Sequence, residues 1–218
     1  MAKVKIDSKK IKAVIFDMDG TMVDNLPYHW KAWKQLASKF GVKITREFFF
    51  YKMNGRTNKD LLPMLLGIEK SALIKKYAEK KENHYRRIYW PHVKEIKGLT
   101  LLVKELKSRG VKVGMATSAP KKNVDFILKK LKVGNLFNAT VTGDRVKRSK
   151  PNPEIYLTTA NKLKVEPKNC LVFEDAENGV EAAKGAGMKV IAVLRGQTKK
   201  YSRYRGTAVS DFTKVKVM

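Results

Sequence analysis

The stretch Ala13–Thr21, "AVIFDMDGT", decides how the rest of the chain is read. Four apolar residues, Ala13–Phe16, have the length and character of a short strand buried on both faces. Asp17 and Asp19 follow one residue apart, and then Gly20. Residues two apart on an extended chain point to the same side. Two carboxylates held together are stable only where a cation or protons offset them.

Downstream, the chain reads as helix for a long interval. Trp30, Trp33, Ala37 and Phe40 fall on one helical face, and Gly41 stops that helix. Thr57-Asn58-Lys59-Asp60 has capping chemistry ahead of Leu61, Leu62 and Leu65, with Pro63 close to the helix start. Residues 71–89 form one long charged amphipathic helix. After Gly98 the rhythm changes. Helices over 101–108, 123–131, 153–163 and 179–186 alternate with strands over 111–116, 139–142, 170–173 and 190–193, and a weak strand lies near 208–209. This alternation predicts an α/β fold, a Rossmann-like parallel sheet with right-handed crossovers. The helical interval breaks it, so residues 25–95 are expected as an inserted small α-helical cap, and residues 1–24 with 96–218 as the core.

Ligands of open parallel sheets bind beyond the carboxyl ends of the strands. Those ends carry Asp17, Asp19, Gly20 and Thr21, then Thr117 and Ser118, then Lys150, then Glu174 and Asp175. Oxygen ligands suit Mg²⁺, which usually keeps substrate oxygens or waters as well. A lysine and a hydroxyl beside such a metal suit an anion, and the set describes phosphoryl transfer. A Ca²⁺-binding EF-hand fails on spacing: counted from Asp17, its sixth and twelfth positions hold Met22 and Tyr28.

In order and spacing, "DMDGT", "ATSA", "KPNPE" and "FEDAENGVEAAKGAGM" resemble the haloacid dehalogenase superfamily, over residues 13–193. "YHWKAW" after "DN" resembles the beta-phosphoglucomutase branch and its phosphatase relatives. The resemblance implies Asp17 as nucleophile, forming an aspartyl-phosphate, and Asp19 as general acid and base. It implies Thr117 and Lys150 as phosphoryl-holding groups. Mg²⁺ would be held by Asp175 with Asp17 and the Asp19 backbone carbonyl, with Glu174 beside them. It places the loop 53–60 over the site, which makes Asn54, Gly55, Arg56 and Lys59 substrate-binding candidates together with His29 and Ser118. Where the mutase grips a distal phosphate with a cap arginine and a Ser-Lys-Asn run, this chain has Asn58 and Ala119-Pro120-Lys121.

Each assignment has a plainer competitor. Asp-x-Asp-Gly alone is often a turn, Lys150 in a lysine-rich chain is often surface, and Thr117 or Glu174 can cap a helix. His29 can equally be an exposed histidine at a helix start. His84 and His92 are expected at the surface, Cys170 in the core, and Trp30 and Trp33 in cap packing.

Lys and Arg number 47 against 20 acids, a net of +27, spread along the whole chain. Such charge favours polyanions in general, and a basic nucleic-acid-binding protein is the competing class. Aromatics interleave with basic residues only at Lys199–Arg205, and no nucleic-acid-binding motif appears, so no specific nucleic acid is expected. One cysteine and no long apolar run predict a cytoplasmic protein without a membrane span. The leading expectation is a Mg²⁺-dependent phosphatase acting on a small phosphorylated metabolite, plausibly as a monomer. Beta-phosphoglucomutase activity is the alternative.

Overall fold

The computed structural model describes residues 3–194 and 206–218. In chain order its elements are β1 (Val4–Ile6), β2 (Ala13–Phe16), α1 (Leu26–Ser38), α2 (Arg46–Phe48) running into a π-helical turn (Phe49–Met53), α3 (Asn58–Leu66), α4 (Ser71–Tyr89), α5 (Leu99–Ser108), β3 (Lys112–Thr117), α6 (Lys121–Leu131), β4 (Ala139–Thr142), α7 (Glu154–Leu163), β5 (Cys170–Glu174), α8 (Glu177–Gly185), β6 (Lys189–Val193), β7 (Ala208–Val209) and β8 (Val215–Val217). Six strands form one parallel sheet in the order β4-β3-β2-β5-β6-β7. The fold is the α/β parallel sheet with an inserted helical unit that the strand rhythm predicts.

β2 is fully buried at all four positions, as a central strand between β3 and β5 requires. Alternate residues feed two cores. Val14 and Phe16 pack on one face with α5, α6 and Phe212, while Ala13 and Ile15 pack on the other with α7 and α8. α1 to α4 enclose a third core of their own around Trp33, Leu36, Phe49, Met53 and Leu62. The two chain crossings into this helical unit are tied together, with an isolated antiparallel bridge between Val23 and Glu95 and a 2.8 Å bond from Ile96 N to Met22 O.

Several boundaries differ from the sequence reading. Thr117 and Glu174 are the last residues of β3 and β5 rather than the first residues beyond them. α1 ends at Ser38, so Phe40 leaves the helical face and is 40% exposed, and Gly41 turns the chain at φ +71. α5 and α6 begin two residues earlier than expected, at Leu99 and Lys121. α8 also begins two residues earlier, at Glu177, and ends at Gly185. The π-helical turn and the parallel pair β1–β8 have no counterpart in the sequence reading. The expected capping chemistry at Thr57 is present: the Asp60 carboxylate accepts from the Thr57 backbone N–H at 3.2 Å and its hydroxyl at 2.6 Å.

Candidate active site

β2, β3 and β5 are adjacent, so their carboxyl ends bring Asp17, Thr117 and Glu174 to one edge of the sheet. Lys150 reaches the same place from the loop before α7. It is 2% exposed, and its Nζ lies 2.7 Å from Asp17 Oδ1 and 2.7 Å from Glu174 Oε2. Burial would lower the Lys150 pKa, but the charges of Asp17 and Glu174 outweigh it and hold the ammonium charged. Burial, and then the nearby Glu174 carboxylate, push the Asp17 pKa well above the ordinary aspartate value. Lys150 offsets only part of that rise, which leaves room for a further cation.

One oxygen from each of Asp17, Glu174 and Asp175 comes within 4.8 Å of the others, and all three residues are buried. The donor set is all oxygen, which suits Mg²⁺. The backbone is shaped around it. A Cβ on Gly20, at φ +83, would meet the Asp175 carboxylate at 2.5 Å, so glycine is required there. Within the group Glu174 is engaged at both oxygens. Its Oε1 accepts the backbone N–H of Asp175 and of Ala176, at 3.0 and 2.9 Å, and its Oε2 accepts from Lys150 and Tyr156. Asp17, whose side-chain bond is the one from Lys150, therefore has more acceptor capacity toward a metal than Glu174 does. The Asp19 side chain is not in this group. Its Oδ1 accepts from Asn25 Nδ2 and faces His29.

The cleft over these groups holds about 550 Å³ of free space, mouth included, and both the sheet edge and the helical unit line it. Asp17, Asp19, Asp175, Thr117, Ser118, His29, Asn54, Gly55 and Arg56 all border it. Thr117 Oγ1 accepts from Ala119 N at 3.1 Å, which leaves its proton free to donate. His29 is buried rather than exposed. Its Nδ1 receives Lys81 Nζ at 2.9 Å, its ring stacks on Tyr85 at 3.7 Å, and its Nε2 lies 3.5 Å from Asp19 Oδ1 without a hydrogen bond.

The loop 53–57 reaches the core directly. Ser118 Oγ donates to Gly55 O at 2.7 Å and Asn54 Nδ2 donates to Asp175 Oδ2 at 3.0 Å. In this arrangement the Ser118 hydroxyl and the Asn54 amide brace the two halves of the cleft. Lys59 is not brought to the cleft. It borders a neighbouring groove with Lys147 and Arg148, because successive residues on α3 point about 100° apart and Asn58 takes the inward position. Sequence reasoning missed Asn25, Lys81 and Glu82. Asn25 Oδ1 accepts from Gly20 N at 3.2 Å while its Nδ2 donates to Tyr85 OH at 2.7 Å, which ties the start of α1 to the aspartate turn and to α4. His84 and His92 lie outside the cleft, Cys170 is buried, Trp33 is buried in the helical core and Trp30 packs beside it.

This geometry has relatives. The family model described as haloacid dehalogenase-like hydrolase matches residues 14–193. The chain belongs to the haloacid dehalogenase-like hydrolase family. It is a phosphoryl-transfer enzyme of that family. It is 34% identical over 182 residues to the phosphorylated carbohydrates phosphatase of Thermotoga maritima, covering 83% of this chain and 84% of that protein. It is 33% identical over 195 residues to the beta-phosphoglucomutase of Bacillus subtilis, covering 86% and 85%. The solved beta-phosphoglucomutase of Clostridium difficile superposes with a TM-score of 0.84 at 28% identity, covering 94% of this chain and 93% of that one. Among the described residues no helix is long and apolar enough to cross a membrane. The interleaved segment Lys199–Arg205 lies outside the described residues.

Proposed function

We propose that this protein is a Mg²⁺-dependent phosphatase that hydrolyses a small phosphomonoester, such as a sugar phosphate, through an aspartyl-phosphate. The observation that carries the reading is the buried trio of Lys150, Asp17 and Glu174 at the floor of a cleft that Asp19 and Thr117 also border.

In this reading an Asp17 oxygen attacks phosphorus, and the bond from phosphorus to the leaving alcohol oxygen breaks. Asp19 gives its proton to that oxygen, then takes one from water as the water attacks the aspartyl-phosphate. The second attack returns Asp17 as carboxylate and releases inorganic phosphate. Lys150 offsets the charge on Asp17, and the Thr117 hydroxyl donates to a phosphoryl oxygen. Mg²⁺ on Asp17 and Asp175 would supply the remaining positive charge against the phosphoryl group. Asn25 holds Asp19 in place, and residues 25–95 act as the cap that closes over the site.

The second reading is a phosphomutase. It is favoured by the mutase relatives and by His29 standing against Asp19. A phosphate-release screen over phosphorylated metabolites, with and without Mg²⁺, tests the first reading. Release that needs Mg²⁺ and vanishes in Asp17→Asn is expected. Undiminished release from Asp17→Asn, or none from wild type on the whole panel, would overturn it.

A further inference from the structure

Part of the cleft wall is made by Asn58, Lys81 and Glu82. Lys81 and Glu82 are neighbours in sequence, yet both are buried, at 4% and 5% exposure. Buried charges need partners. Glu82 Oε1 accepts from Lys81 Nζ at 2.9 Å and from Asn58 Nδ2 at 2.8 Å. Its Oε2 accepts from Asn123 Nδ2 at 2.7 Å, and Arg86 fixes that amide by donating to its Oδ1. A carboxylate offers about four acceptor positions, so among the described residues these three bonds leave one on Oε2. Burial alone would raise the Glu82 pKa, but the Lys81 charge, the neighbouring His29 and the bonds from Lys81 and Asn123 hold it at about 2. The group is an anion, and an acceptor only, at any working pH.

The nearby cations do not change that character. Lys81 is already engaged by Glu82 and His29, and Arg56 is exposed at the cleft's border. Asn58 is neutral and faces Glu82. This wall therefore suits a donor, such as an alcohol hydroxyl, and is ill suited to a second phosphate.

We infer that Glu82 is a specificity residue whose carboxylate accepts a hydrogen bond from a hydroxyl on the alcohol portion of the substrate and disfavours a second anion there. The inference rests on the phosphatase reading. It names monophosphates of polyhydroxylated alcohols as the favoured class, over alkyl phosphates and over bisphosphates. A site built to bind a hydroxyl discriminates strongly against the analogue lacking it, because the buried acceptor is then left unpaired.

The test compares kcat/KM for a hexitol monophosphate, hexyl phosphate and a hexitol bisphosphate, on wild type and on Glu82→Gln. Wild type is expected to prefer the hexitol monophosphate over hexyl phosphate by at least about tenfold. It is also expected to prefer it over the bisphosphate. In Glu82→Gln both ratios should shrink severalfold, since the amide carries no charge and turns donors toward Asn123. Equal wild-type rates on hexyl and hexitol phosphates overturn the inference, and this arm needs no variant to fold. Ratios unchanged in a folded Glu82→Gln also overturn it. Absence of turnover on all three esters and across the metabolite screen would instead overturn the phosphatase reading beneath it.

Discussion

Lys150 Nζ stands 2.7 Å from Asp17 Oδ1, with 1% of the lysine side chain and 7% of the aspartate side chain exposed. The same ammonium bonds Glu174. It is thus a structural counter-charge as well as a candidate phosphoryl-holding group. Lys150→Met keeps the length of the side chain and removes the charge. Two buried carboxylates then face each other without it, and removing one partner of a buried ion pair destabilises by about 3–5 kcal/mol. In metal-free buffer the urea midpoint should fall accordingly, and with Mg²⁺ present phosphate release should fall at least about a hundredfold. An unchanged midpoint would show that the trio carries no such strain.

Asp17, Glu174 and Asp175 should respond to a divalent cation in a way that does not depend on turnover. Mg²⁺ binding the folded state alone should raise Tm, by about 2.7 kcal/mol of stability at a hundred times its Kd. Asp175→Asn should abolish most of that shift, and a chelator should abolish phosphate release. Ca²⁺, with its larger and looser coordination shell, should bind and inhibit. Full activity in chelator would remove the metal from the mechanism.

Gly55 sits at φ +81, and a Cβ there would meet Asn178 Oδ1 at 2.3 Å and the Ala176 Cβ at 3.0 Å. Its carbonyl also takes the Ser118 hydroxyl. Gly55→Ala should therefore push the loop 53–57 off the sheet edge and draw the Asn54 amide away from Asp175. The expected outcome is a kcat/KM lowered by about tenfold or more, since misplacing a closing element weakens the site more than the fold. Tm should change by only a few degrees. A variant with wild-type kcat/KM would mean that this contact plays no part in closure.

The acids at the strand ends were legible because sheet topology alone decides where they meet. A parallel sheet in which β2 lies between β3 and β5 places Asp17, Thr117 and Asp175 together whatever the details. Lys81 and Glu82 were not legible. A Lys-Glu pair in a helix this rich in charge reads as solvated surface, and only the packing of Lys81 over the Trp33 ring, at 5.1 Å, shows that the helix turns it inward. Lys59 was misjudged for the converse reason. The capping residues fixed where α3 begins, but not which of Asn58 and Lys59 faces the cleft. β1 and β8 escaped notice because "VKI" and "VKV" are too short for a period-2 pattern and, among the described residues, pair only with each other.

Glu82 also links stability to pH. Its carboxyl is a stronger acid folded, at about 2, than at its ordinary value of 4.5. The stability it contributes is fully present above pH 4.5 and is lost as pH falls toward 2. That contribution is on the order of 3 kcal/mol in full, with about 2 kcal/mol lost by pH 3. Urea unfolding of wild type and Glu82→Gln between pH 6 and pH 3 should therefore show two converging curves. Parallel curves would mean that the Glu82 carboxyl titrates alike in both states.

Phosphatase and mutase differ in what takes the phosphoryl group from Asp17. A phosphatase gives it to water. A mutase must retain a bisphosphate and turn it around, which requires a firm cation for the distal phosphate. Here the wall position is Asn58, bonded to the Glu82 carboxylate at 2.8 Å. Lys121, the nearest cation in sequence after the β3 end, is paired with Asp125 at 2.7 Å and does not border the cleft. Losing a charge-assisted contact to a buried partner removes about 2–5 kcal/mol. Given beta-glucose 1-phosphate and a catalytic amount of the bisphosphate, the enzyme should release inorganic phosphate faster than it forms glucose 6-phosphate. Both products can be followed in one reaction. If glucose 6-phosphate appears much faster, the mutase reading wins. Arg56, which borders the cleft, then becomes the cation to replace, and Arg56→Ala should return the enzyme to hydrolysis.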